Sequence, residues 1–116
     1  MMRLLSVSIV GLGAAGAAWA VLSGDAAGPT GIEHVISQKN RHFSPTVLSV
    51  RAGDTVLIVN DDADLHHHAY VSNSRFKFDS GDQQPGSRTP IVFTVPGQFN
   101  VLCGIHPKMR LAVTVH

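Results

Sequence analysis

The residues best equipped to do chemistry lie in one short run near the C-terminus, Cys103-Gly104-Ile105-His106-Pro107-Lys108-Met109. It offers a thiolate, an imidazole and a thioether at Cys-x2-His-x2-Met spacing. Gly104 and Pro107 block a helix through the run, so it reads as a loop. Thiolate and thioether are soft donors, and imidazole serves several first-row metals. A metal ion held by this loop needs only one more donor from elsewhere in the chain. The run His66-His67-His68 supplies the candidates.

Two histidines, one cysteine and a weak axial methionine make up the donor set of a blue-copper electron-transfer site. The sulfur donors favour Cu(I), and imidazole accepts both Cu(I) and Cu(II). A mixed set therefore suits one copper ion that changes charge and moves little. The cysteine binds as thiolate, and the charge of the cation itself drives the deprotonation. The sulfur inventory agrees with this chemistry. Cys103 is the chain's one cysteine, so a disulfide framework is excluded. Met1 and Met2 open the chain, which leaves Met109 as the only methionine further on. Singly, each residue has a plainer reading. A cysteine or methionine is usually core filler, a histidine is usually solvated, and a histidine run can be a nonspecific metal-binding tract. The conjunction points to a site made of His67, Cys103, His106 and Met109.

Such a site must be held by elements on both sides of it, and these read as β-strands. Candidate strands run over Ile32 to Gln38, Thr46 to Arg51, Thr55 to Asn60, His67 to Val71, Ile91 to Val95, Gln98 to Cys103 and Leu111 to Val115. A brief strand is expected at Phe76 to Phe78, within an otherwise polar loop region. Asn40 to Pro45 reads as a turn. Ala52-Gly53-Asp54 and Pro96-Gly97 are turn signals. In Thr55–Asn60 both faces carry apolar residues, as befits a strand inside a sandwich. No stretch after residue 31 has helical periodicity. The expected fold is all-β, a Greek-key antiparallel β-sandwich. The cysteine loop then falls between two strands at one end of it.

Strand alternation bears on which histidine of the run faces inward. If His67 does, Ala69 and Val71 follow it into the core. If His66 does, His68 and Tyr70 follow. The first register buries the apolar set and favours His67.

The N-terminal segment has a different character. Met1-Met2-Arg3 is a short positive start, Leu4 to Ala18 carries no charge, and Ala18-Trp19-Ala20 fits a signal-peptidase site. Residues 1–20 are therefore expected to be a cleaved signal peptide and 21–31 a linker. Residues 32–116 form the domain. The alternative is an uncleaved anchor helix. The stretch Leu4 to Leu22 is near the lower end of a membrane span, but it is rich in Gly and Ala. Loss of Arg3 balances acidic and basic side chains, so no basic nucleic-acid surface is indicated. The expected location is the periplasm or another exported compartment.

With these motifs the chain resembles the cupredoxins, and among them the amicyanin and plastocyanin group, from roughly Phe43 to Val115. The resemblance rests on Phe43-Ser44-Pro45, Ala52-Gly53-Asp54-Thr55-Val56, Val59-Asn60, the histidine run, Pro96-Gly97-Gln98-Phe99 and the Cys103–Met109 loop. The loop spacing is that of amicyanin. Phe78-Asp79-Ser80-Gly81-Asp82-Gln83-Gln84-Pro85-Gly86 is similar to a stretch in small plastocyanin-like proteins of methylamine-utilisation type. The resemblance implies that Cys103 is the thiolate ligand responsible for the blue colour. His106 and the upstream histidine are the nitrogen ligands, and Met109 is the weak axial one. It also implies an apolar patch around the loop histidine where electrons enter and leave, with Ile105, Pro107 and Leu65 as candidates. Counting from Asn60 by the amicyanin pattern reaches His66 rather than His67. The residue after the ligand is usually Asn in this group and is a histidine here in either register.

Functionally, these readings imply a one-electron carrier that meets redox proteins transiently, a monomer with no small-molecule substrate. The alternative is a copper-delivery protein on the same fold. A binuclear copper centre needs two cysteines. Nothing in the chain pairs an open metal position with a general base, so an enzyme is not expected. Zinc seldom takes methionine, which disfavours a structural zinc site. His34, His42 and His116 read as surface residues, and Asp61, Asp62 and Asp64 as a solvated turn.

Overall fold

The computed structural model describes residues 31–116. The expected signal peptide and nearly all of the linker lie outside the described residues. Nine strands follow in order: β1 (Glu33–Lys39), β2 (His42–Ser44), β3 (Val47–Val50), β4 (Thr55–Asn60), β5 (Ala69–Val71), β6 (Phe78–Asp79), β7 (Arg88–Val92), β8 (Gly97–Cys103) and β9 (Arg110–Val115). They form a five-stranded sheet in the order β3-β9-β8-β5-β6 and a four-stranded sheet in the order β2-β1-β4-β7. The chain is all-β among the described residues, and its two sheets face each other across one apolar core.

Strand pairing refines the expectation of an antiparallel sandwich. Two pairs are parallel, β1 with β4 and β3 with β9. The reason lies in the two turn signals. Neither Ala52-Gly53-Asp54 nor Pro96-Gly97 closes a hairpin. Each carries the chain from one sheet to the other, from β3 to β4 and from β7 to β8. Strands that never meet through a tight turn are free to pair parallel with distant partners. A second difference falls at residues 40–45, which read as a turn. Asn40 and Arg41 both take positive φ, 53° and 64°, and make a two-residue turn that pairs Lys39 with His42. This is the hairpin geometry that matches the strand twist, and Asn suits its first position. β7 starts three residues earlier than the apolar run suggested and takes in Pro90. It is an edge strand, where a missing N–H is tolerated.

The core follows period-two alternation. Val56 and Ile58 point inward from β4, Phe99 and Val101 from β8, and Leu111, Val113 and Val115 from β9. Phe93 stacks on Phe76 at 5.0 Å between centroids and lies close to Phe99. At one end of the sandwich the inward positions turn polar. Gln38 ends the inward row of β1 and pairs in register with Asn60, which ends that of β4. Cys103 ends the inward row of β8 opposite Ala69, two residues beyond His67. All four of these polar or sulfur-bearing side chains are buried. The strands thus bring the chemistry-bearing residues to one end by ending their inward rows there.

At the start of β1, Asp54 acts as a clasp. Its carboxylate accepts the backbone N–H of Ile32 and of Arg51 and the Nε2–H of His34. His34 is accordingly no free surface residue. The Arg51 amide and the His34 hydrogen bond hold the Asp54 carboxyl below the usual carboxylate range, against the opposing effect of burial. A carboxyl whose folded value is lowered contributes stability above its unfolded value of about 3.9, lost as pH falls through the folded one. Asp54→Ala should therefore lower the thermal midpoint by several degrees at neutral pH. It should also flatten the fall in that midpoint between about pH 5 and pH 2, as followed by circular dichroism.

Candidate metal centre

Three donor atoms converge at the polar end of the sandwich. Cys103 Sγ lies 3.8 Å from His106 Nδ1 and 3.9 Å from His67 Nδ1, and the two nitrogens are 3.2 Å apart. Among the described residues this is the only group of three or more His, Cys, Asp or Glu side chains so placed. The spacing fits one first-row ion. Bonds of ~2.0 Å to nitrogen and ~2.3 Å to sulfur, spread evenly in a plane, would set N···N at ~3.5 Å and S···N at ~3.7 Å. The observed N···N distance of 3.2 Å is slightly shorter and the S···N distances of 3.8 and 3.9 Å slightly longer than these values, so no ligand has to move far.

Each donor is delivered by a separate device. Cys103 is the last residue of β8 and is turned inward by strand alternation. Its sulfur receives the His68 backbone N–H at 3.4 Å. His67 lies just before β5 and exchanges two backbone hydrogen bonds with Gln83. It is fully buried. His106 sits in the β8–β9 loop, where its carbonyl accepts the Met109 N–H. Met109 is buried beside it just before β9 and lines the same surface groove, of about 520 Å³. Gly104 stands at a close approach that a larger residue would enter only if the His68 ring gave way by a few tenths of an ångström. A Cβ there would come within 3.2 Å of the His68 ring, whose carbonyl accepts the Gly104 N–H.

The three histidines of the run part company. His66 is half-exposed and pairs with Asp82 at 2.8 Å. His68 pairs with Asp79 at 2.6 Å, and the Asp79 carboxyl is held low by the Gly81 N–H and by His68. Only His67 reaches the cluster. The count from Asn60 by the amicyanin pattern reaches His66, whereas the cluster takes in its neighbour His67.

Asp62 was expected in a solvated turn and is instead buried. Its Oδ2 lies 2.6 Å from His67 Nε2, and its Oδ1 accepts the Asn40 N–H. Burial pushes its carboxyl up. The Asn40 amide, the His67 hydrogen bond and the charge of Lys39 outweigh that and hold it below the usual range. The available signal was the Asn60-x-Asp62 spacing at a strand end, an Asx turn in which the Asp62 N–H bonds Asn60 Oδ1. Gln83, also missed, ties the assembly together. Its side chain accepts from Gln38 and from the Ala69 N–H and donates to Thr89. Asn60 Nδ2 bonds the carbonyls of Leu65 and Gln83.

His106 is partly buried, and its pKa is lowered, chiefly by that burial and also by the charge of Arg41. Its imidazole is therefore neutral at physiological pH and offers a lone pair. Ile105 and Pro107 are exposed on either side of it. Leu65 does not line their groove, whose rim carries Arg41 and Lys108 instead.

No family model matches the chain, and no curated protein matches it in sequence. Solved structures do. An oxidised single-residue mutant of amicyanin superposes with a TM-score of 0.66 at 21% identity, covering 72% of this chain and 81% of that one. Amicyanin from Paracoccus versutus gives 0.65 at 22% identity over 72% of this chain and 80% of that one. A Cu-containing nitrite reductase from Thermus scotoductus gives 0.66 at 29% identity over 84% of this chain. This chain spans only a quarter of that enzyme's length.

The geometry separates the neighbouring histidines by experiment. In a Co(II) titration, His66→Ala should keep the thiolate-to-cobalt charge-transfer absorption and the wild-type affinity. His67→Ala should weaken binding by more than about 100-fold, beyond the loss caused by removing a supporting partner.

Proposed function

We propose that this chain, which has the cupredoxin fold of amicyanin, holds one copper ion between His67, Cys103 and His106 with Met109 as weak axial donor, and carries single electrons between redox proteins. The observation behind this reading is the convergence of two imidazole nitrogens and a cysteine sulfur within 3.9 Å, beside a buried methionine. The similar structures include copper proteins, among them Cu(I) forms of amicyanin mutants and the Cu-containing nitrite reductase.

Bound copper would supply a one-electron couple. The chain's own residues supply the rest. Cys103 and Met109 favour the reduced ion, and the imidazoles accept either state. His67, Cys103 and Met109 are each at most 2% exposed, so water and small ligands are kept from the centre. That enclosure supports a carrier rather than a catalyst, since a catalytic metal needs an open position. His106 alone among the donors is partly exposed, and Ile105 and Pro107 flank it. A redox partner docking there would bring its own centre close to the His106 ring. A small interface of this kind favours rapid release. Arg41 and Lys108 on its rim favour a partner with carboxylates around its own site.

The copper-delivery reading has less support. It wants mobile histidines that pass an ion inward, whereas His66 and His68 are held apart by separate aspartates. The export reading continues to rest on residues 1–20 of the sequence. We propose that the working protein is the segment after Ala20, outside the cytoplasm.

The test is a visible spectrum of the chain with one equivalent of Cu(II). An intense absorption that bleaches with ascorbate, returns on reoxidation and is absent in Cys103→Ser is expected. Weak colour, or copper lost to a chelator within each redox cycle, would replace the carrier by copper handling.

A further inference from the structure

Asp62 belongs to no donor set, yet it touches one. Its side chain is 5% exposed and that of His67 is 0% exposed. A carboxylate is rarely buried to this degree without a reason, because taking a charge out of water is costly unless it is paired and hydrogen-bonded. Here it is fixed from three sides. Oδ1 accepts the Asn40 N–H from the β1–β2 turn. The Asp62 N–H bonds Asn60 at the end of β4. Oδ2 meets His67 Nε2.

We propose that Asp62 is a positioning residue that locks His67 in the Nε2–H tautomer, aims its Nδ1 lone pair into the metal centre and lowers the centre's reduction potential. A neutral imidazole has one N–H and one lone pair, and an ionised carboxylate can only accept. The bond to Oδ2 therefore places the proton on Nε2. Nδ1 is left free on the side where His106 Nδ1 and Cys103 Sγ lie, 3.2 and 3.9 Å away. A carboxylate behind a ligating histidine also raises the basicity of its ring. In a buried setting that negative charge favours the more highly charged oxidised ion over the reduced one. The potential part of this inference rests on the copper reading; the tautomer part does not. The hairpin turn joins the same device, because Asn40 shares the carboxylate. The β1–β2 turn and the His67 ring are thus held by one side chain.

The test compares the chain with Asp62→Asn and Asp62→Glu by two readouts. The first is the long-range proton–nitrogen NMR correlation of His67 in metal-free protein. Nε2–H is expected in the wild type and in Asp62→Glu, with a shift toward Nδ1–H or a mixture in Asp62→Asn. The second is the potential of the copper form. Asp62→Asn should move the Cu(I)-to-Cu(II) affinity ratio about tenfold toward Cu(I), which is ~59 mV upward for one electron. Asp62→Glu should stay nearer the wild type. An Asn variant with both the tautomer and the potential unchanged would overturn the proposal and leave Asp62 as a brace for the hairpin. If Asp62→Asn fails to fold, a wild-type His67 protonated on Nδ1 overturns it equally. If the wild type takes up no copper, the function reading fails, and the tautomer still decides the role of Asp62.

Discussion

Two imidazole nitrogens 3.2 Å apart, both facing one cysteine sulfur in a closed space, are the constraint around which this molecule is organised. Nothing about folding alone asks for it. Polar groups crowded together in a low-dielectric interior are costly to bury, and a hydrophobic side chain would pack there more simply. The arrangement becomes favourable once a cation fills the centre, and binding then adds to the stability of the folded state. The sandwich delivers the donors from different places: the end of β8, the approach to β5 and the β8–β9 loop. Their mutual distances are therefore fixed by the pairing of β5, β8 and β9 and not by any local motif.

The layer of buried amides behind the donors serves that pairing. Gln38, Asn60 and Gln83 are nearly inaccessible, and they bond one another and the loop carbonyls, with Gln38 Oε1 alone among their side-chain atoms left without a partner. A network of this kind is worth most when its members are satisfied, because each unpaired buried group costs about 1–3 kcal/mol. It connects the two sheets at the end where apolar contact has run out. The aspartates do similar work for the histidine run. Asp62, Asp79 and Asp82 each hold a different imidazole, so that three adjacent histidines point to three different places. That division of labour lets a single register choose His67 alone.

Much of this was legible in the residues. Soft donors at Cys-x2-His-x2-Met spacing pointed to the loop. The alternation of His67, Ala69 and Val71 picked out the histidine that the structure places beside Cys103. Counting along a related pattern reached His66, whereas alternation reads the burial of Ala69 and Val71 directly. The strands were visible for the same reason, since each buries every second residue. The features that escaped have causes that are not local. The parallel pairs depend on which sheet a turn leads to. The β1–β2 hairpin depends on two residues adopting positive φ, one of them Arg41, which has no marked preference for it. Asp62 looked like its neighbours Asp61 and Asp64. Only the fold shows that one of the three turns inward to meet a ring from the next turn of the chain.

The fold places the donor atoms of His67, Cys103 and His106 within reach of a single ion, and every role assigned to these residues depends on that placement. A crystal structure of the copper-loaded chain, with anomalous scattering recorded at the copper edge, tests it most directly. One copper ion is expected, bonded to His67 Nδ1, His106 Nδ1 and Cys103 Sγ, with those atoms displaced by no more than a few tenths of an ångström. Copper bound instead by His66 or His68, or a cage whose side chains have changed rotamer to meet the ion, would contradict it.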